Sequence, residues 1–329
     1  MTEMRFLDLK LTPRFYPSGV RLEDRFVIVR KESGWLDNTV CKVTDTEFNT
    51  PRLLYVIGND MDNGRRADAH AQFLDVCKNL DGFPKMINRF VKGSYDHIVA
   101  TYHGEDMHAL LTRSVFHISK KNSLRLAYQL FTAISKMHEL GYLHRNIRTN
   151  TVRGGFDWQS NFVIQLDNFC YSAPISPPPS SYGMATWSTQ SLHVNLGHPY
   201  TPIDDFVAGL FVVMESQGIR PFLQSIVNRQ DMIAVKMELD EDPEAFIQKD
   251  EMGWMVDLYE ELKRQREAGL DLNKIWPILE SAESNFHPSS QFEWDYVSEG
   301  STLVKMKGEE MNYNGATSDE KKNPITVPH

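Results

Sequence analysis

The residues best placed for chemistry lie between Leu140 and Asp167. This stretch reads L-G-Y-L-H-R-N-I-R-T-N-T-V-R-G-G and, after a short polar insert, F-V-I-Q-L-D. Its shape is a helix end, a tight loop carrying His144, Arg145 and Asn146, a short strand, and a second loop opened by the acid Asp167. A histidine and an arginine beside a strand-end acid are the side-chain types that move protons and hold charged groups. Asn146 breaks the set, because an amide cannot take up a proton as a carboxylate does.

The elements that must position this loop are readable from periodicity. Leu126, Leu130, Ile134 and Met137, with Ala127, Phe131 and His138 beside them, give a helix with a broad apolar face that Gly141 stops. Phe162 to Leu166 is a strand ending at Asp167. Earlier, Phe26–Val29, the region of Val40 and Val43, and Leu53–Ile57 read as three strands of a small sheet. Asp68 to Leu80 reads as an amphipathic helix with Phe73, Leu74, Cys77 and Leu80 inward. Asp205 to Met214 is apolar nearly all round and is expected to be a buried helix. Met252 to Glu267 is expected to turn Trp254, Met255, Leu258 and Leu262 inward and to pair Glu260 with Arg264 outside. Leu272 to Leu279 supplies a last helix around Pro277, and from Ser298 the composition turns polar, as in a disordered tail.

The bulk numbers set limits. With 329 residues, 41% hydrophobic and 24% charged, the chain resembles an ordinary globular protein, and no apolar run is long enough to span a bilayer. The first ten residues carry charges where a signal peptide needs an apolar core. Three widely spaced cysteines suit reduced thiols in the cytoplasm or nucleus. A formal net charge of −9 argues against non-specific binding to nucleic acid or an anionic membrane. From Gly154 to Ile219 there is no Lys or Arg, against Asp157, Asp167, Asp204, Asp205 and Glu215. That imbalance points to a protein partner with a basic surface. Within it, Ser172 to Ser181 is proline-rich and reads as a stiff loop, or as a polyproline ligand.

The Leu140–Asp167 stretch resembles a protein kinase catalytic segment, in which H-R-D-x-x-x-x-N precedes D-F-G. His144 and Arg145 match that pattern. Asn146 stands for the base and Thr151 for the metal-binding Asn, with Asn150 one position early, and D-F-G reads Asp167-Asn168-Phe169. Further on, Ser191-Leu192-His193-Val194-Asn195-Leu196-Gly197 and Pro202-Ile203-Asp204-Asp205-Phe206 are similar to the S-I-N-T-H-L-G and R-R-D-D-L motifs of the casein kinase one and tau-tubulin kinase group. The likeness runs from Leu22 to Glu283.

This resemblance implies an α+β bilobal fold, with an arm over 1–19, a mostly β lobe over 20–103, a mostly helical lobe over 104–297 and a tail over 298–329. It puts Gly34, Thr101, His103, Gly104 and Asp167 around the nucleotide cleft, with Gly104 as the hinge pivot and Asp167 as the one remaining metal ligand. It gives His144, Arg145 and Asp205 structural roles, Asp205 accepting hydrogen bonds from the loop backbone. The family's strand lysine falls on Gly58 and its helix glutamate on His70, and the turn Ser33–Asn38 is a hairpin with Asp37 rather than a glycine cradle. A catalytically inactive kinase-like module, with no cofactor expected, is the implied function. The alternative is a divergent serine/threonine kinase using ATP and Mg, with Lys42 substituting for the lost lysine.

Overall fold

The computed structural model describes residues 16–35, 38–59, 64–113, 118–157, 159, 161–177, 188–220, 228–247, 252–287, 289–299 and 301–306. Asp37 and residues 178–181 of the proline-rich stretch lie outside them. Strands β1 (Arg21–Leu22), β2 (Phe26–Trp35), β3 (Asn38–Asp45) and β4 (Thr50–Gly58) are followed by helix α1 (Arg65–Val76), then by β5 (Met86–Lys92) and β6 (Tyr95–Thr101). They make one six-stranded sheet in the order β1-β2-β3-β4-β6-β5, with antiparallel neighbours throughout.

Side chains alternate across a strand with a period of two, and β4 shows what this does. Leu53, Tyr55 and Ile57 enter the main core with Phe73 and Leu74 of α1. Leu54 and Val56 face the other way, into a second cluster with Leu22, Phe26 and Ile28. The middle of the sheet is covered on both faces. Helix α1 ends four residues before the Leu80 expected from periodicity, and Leu80 is 38% exposed rather than inward.

The chain continues through β7 (Glu105–Asp106), α2 (Met107–Arg113), α3 (Lys120–Glu139), β8 (Tyr142–Leu143), a 3-10 turn (Thr149–Thr151), β9 (Val152–Phe156), β10 (Phe162–Leu166) and β11 (Ala173–Pro174). Strand β9 lies between β10 and β7, and β8 pairs with β11. Helices α4 (Leu192–Asn195), α5 (Pro202–Ser216), α6 (Arg229–Glu241), α7 (Pro243–Phe246), α8 (Gly253–Ala268) and α9 (Leu272–Ser281) follow. The antiparallel pair β12 (Trp294–Glu299) and β13 (Ser301–Met306) straddles the boundary expected at Ser298. The whole is a mixed α and β structure compatible with the kinase-like architecture.

Helix α5 is buried on nearly all sides because α3 crosses it closely: a Cβ on Gly209 would lie 3.0 Å from the Ile134 Cδ1 atom. In α8 the four expected residues are buried, but the charges pair one residue tighter than expected. Lys263 meets Glu260 and Arg264 meets Glu261, so Arg264 does not bond Glu260. Among the described residues no helix is long and apolar enough to cross a membrane.

One contact fixes how β9 meets the segment before β7. A Cβ on Gly155 would overlap the His103 carbonyl, and one on Gly104, where φ is 111°, would overlap the Gly154 carbonyl. Gly155→Ala therefore forces main chain apart and should cost roughly 1–3 kcal/mol, as overpacking does. Gly253→Ala, with open space around the added methyl, should leave the urea midpoint unchanged or slightly raised. Equal midpoints for the two variants would refute the backbone-contact reading.

Candidate functional site

The loop at His144–Asn146 is held from behind by one carboxylate. Asp205, in the first turn of α5 and fully buried, accepts the backbone N–H of His144 at 2.8 Å and of Arg145 at 2.9 Å. The Tyr200 hydroxyl donates to it at 2.8 Å and His138 Nε2 at 2.9 Å. Burial opposes its charge, but the hydrogen bond and charge of His138 and the His144 contacts hold its pKa below the usual range. Arg145 sits at φ 65°, a left-handed conformation that its N–H bond to Asp205 fixes. Asp205 thus lies behind the His144–Arg145 main chain with both of its carboxylate oxygens engaged.

His144 joins this loop to Asp167. Its Nε2–H donates to the Asp167 carbonyl at 3.0 Å, and its Nδ1 accepts the Asn146 N–H at 3.2 Å. Burial lowers its pKa and keeps the ring neutral, as one donor and one acceptor require. The Asn146 side chain is buried, and neither of its amide atoms has a partner among the described residues. The Thr151 hydroxyl is used locally, donating to the carbonyls of Asn146 at 2.8 Å and Arg148 at 3.1 Å. Asn150 lies in the same 3-10 turn.

Asp167 is saturated from within. The Tyr55 hydroxyl donates to its Oδ1, as does the Asn168 N–H at 2.8 Å, and Arg153 Nε donates to its Oδ2. Arg153, on β9, is 1% exposed. Its Nη1 also reaches Glu32 of β2 at 2.7 Å and the Gly104 carbonyl at 3.1 Å. Burial works against the Arg153 charge, but Asp167, Tyr55 and Glu32 outweigh it and raise its pKa. Burial and then Asp167 push the Tyr55 hydroxyl well up, so it remains a donor. Asp167, despite its burial, is held below the ordinary carboxylate range by Arg153 and by the Tyr55 hydrogen bond.

Gly58 has the parity of Leu54 and Val56 and lies opposite Tyr95 at the end of β4, on the face away from Asp167. The β4 side chain facing Asp167 and His70 is Tyr55, whose ring lies 4.3 Å from that of His70. His70 is fully buried, as a helix residue facing the core, and its Nδ1 accepts the Phe169 N–H at 2.9 Å. Lys42 lies with its ammonium 4.5 Å from the centre of the Tyr102 ring.

Of the remaining cleft positions, Thr101 Oγ1 and His103 Nε2 are 2.6 Å apart and bonded to each other. Gly34, at φ 126°, pairs with Thr39 in the β2–β3 hairpin. Arg153 was missed in the sequence; the signal available was a lone cation between Val152 and Gly154 in a strand otherwise apolar.

The acids that suggested a basic partner are mostly internal. Asp167, Asp204 and Asp205 are buried, and Asp204 is bonded by Ser191, Thr201 and Arg266. Asp157 accepts from its own loop at Gln159 and Asn161. Three of the five acids are thus enclosed with their own donors, while Asp157 and Glu215 are half-buried. Among the described residues no group of three or more His, Cys, Asp or Glu is placed to hold a metal ion.

No protein-family model matches the chain. It is similar to a Caenorhabditis elegans protein named "Putative serine/threonine-protein kinase K06H7.1", 25% identical over 138 residues. The aligned part covers 42% of this chain and 40% of that protein. That likeness supports a kinase-like domain.

Two outcomes follow from this geometry. Asp205→Ala leaves several buried donors unpaired and should cost roughly 1–3 kcal/mol for each group left unsatisfied, whereas Glu260→Ala should stay within about 0.5 kcal/mol. Urea unfolding of both variants is the measurement, and equal midpoints would contradict the anchoring role. The second outcome concerns pH. Burial lowers His70 and His97 to about 4 in the folded chain, against about 6.5 when unfolded. Below pH 6.5 the unfolded chain takes up protons that the folded one refuses. Stability is therefore full above about 6.5, falls between about 6.5 and 4, and these two groups take away nothing more below that. His70→Gln should flatten the slope; an unchanged slope would show that His70 does not titrate in this way.

Proposed function

We propose that this chain is a kinase-shaped module without phosphotransfer activity, a degenerate relative of the casein kinase one and tau-tubulin kinase group that acts through protein contacts or allostery. The observation that carries the reading is the engagement of Asp167 by Arg153 and Tyr55. Phosphoryl transfer needs an acid free to hold Mg, a cation on the phosphates and a base for the hydroxyl. Here the acid neutralises an internal guanidinium. The side chain beside it on β4 is a phenol, and Asn146 cannot act as the base. ATP and Mg would meet a cleft whose charges are already satisfied. The three cysteines are free and buried, which suits a reduced protein of the cytoplasm or nucleus.

The divergent-kinase reading needs a cation near the phosphates, and Lys42 rests on Tyr102 instead. Thermal melting with millimolar ATP and Mg decides between the two. Ligand at 100 times its Kd would add about 2.7 kcal/mol, so the proposal expects no shift and is refuted by one of several degrees. Asn146→Asp alone should yield no phosphotransfer to acidic peptides in a radiolabel assay. Asp167→Ala should cost roughly 1–3 kcal/mol or more in urea unfolding, because it takes one of two carboxylates from a buried guanidinium and leaves Tyr55 and Arg153 donors unpaired. In an enzyme whose acid serves only to hold metal, the same change would abolish activity and spare the urea midpoint.

A further inference from the structure

The groups around Nε and Nη1 of Arg153 form a ligand set, while the buried Nη2 has no hydrogen-bond partner among the described residues. The Asp167 Oδ2, the Glu32 Oε2 at 2.7 Å and the Gly104 carbonyl at 3.1 Å all accept, and they come from three separate segments of the chain. Both carboxylates are buried, at 1% and 5% side-chain exposure. They are spread so that Nε meets one and Nη1 the other, a division that a planar fork makes and a point charge does not. Such walls repel phosphate oxygens and select a flat cation with diverging N–H groups.

We propose that this cleft is a guanidinium site, filled from within by Arg153, and that the ligand class able to replace that side chain is a planar guanidinium cation rather than a nucleoside phosphate. The inference deepens the functional reading above, since it rests on the cleft being closed to nucleotide. It also states what the cleft is built to hold, which the loss of catalytic groups does not.

The test is chemical rescue. Arg153→Ala removes the occupant and leaves the walls. Arg153→Leu, studied in parallel, refills the apolar stem and vacates only the head position. Both variants should melt several degrees below the wild type. Methylguanidinium chloride at millimolar concentration should recover much of that loss saturably, while tetramethylammonium chloride at the same ionic strength and ATP with Mg should not. The wild type should be indifferent to methylguanidinium. Equal recovery by tetramethylammonium, or none by methylguanidinium, would overturn the proposal, as would stronger stabilisation of the variants by ATP with Mg. Stabilisation of the wild type by ATP with Mg would instead overturn the functional reading. Should neither variant be soluble, refolding with and without methylguanidinium decides the matter: soluble protein only in its presence supports the site, and no difference refutes it.

Discussion

A buried guanidinium is tolerable only when its charge is met, since leaving one uncompensated costs several kcal/mol. Arg153 imposes that condition on the middle of this molecule. Asp167 must stay ionised, the Glu32 carboxylate must stay against the guanidinium, Tyr55 must keep its proton, and the Gly104 carbonyl must turn inward. From Asp167 the network passes through its carbonyl to His144, from His144 to the Asn146 backbone, and from the His144 and Arg145 amides to Asp205. An unbroken series of hydrogen bonds therefore links β2 of the sheet to the start of α5.

An apolar column runs beside this polar one. The Phe169 ring lies 4.4 Å from Phe73 of α1, 5.3 Å from His144 and 6.2 Å from Phe83. Its N–H ends on His70 and the Ser172 hydroxyl donates to the Ala69 carbonyl at 3.4 Å, so α1 is tied to the loop after β10 by neutral hydrogen bonds and a stack of rings. Such a tie needs no ion pair, and it is unaffected by salt in a way that an exposed lysine–glutamate bridge would not be. The loop geometry at 144–146 is set from behind by Asp205 and does not depend on whether residue 146 is an acid or an amide.

Much of this was legible in the sequence. The strands around Val27, Leu54 and Ile164 and the helices around Ile134 and Leu210 announce themselves by apolar periodicity, and the pairing of Asp205 with the loop came from motif likeness. What could not be read was which face each residue takes in a short, wholly apolar strand. Leu53 to Ile57 has no polar residue to mark parity except the Tyr55 hydroxyl, so sequence alone does not say which of its residues faces His70. Charge was misleading for a related reason. A composition counts Asp204, Asp205 and Asp167 as field sources, but each is enclosed with its own donors. Leu80 was counted inward because a pattern continues past the point where Cys77 ends the helix.

The interlocked occupants of the cleft bear on how such a chain can change over generations. A lysine at Tyr55 would place a second cation against Arg153, while loss of Arg153 alone would leave the buried Asp167 carboxylate without its cation, Glu32 keeping only Arg30. Each single change toward an open cleft is disfavoured unless the others accompany it. Neighbouring sites whose effects depend on one another in this way do not drift singly. The internal arginine thus couples these positions: while Tyr55, Glu32 and Arg153 are in place together, a change at one of them alone disturbs the charge balance of the others, whereas the exposed surface varies without that constraint.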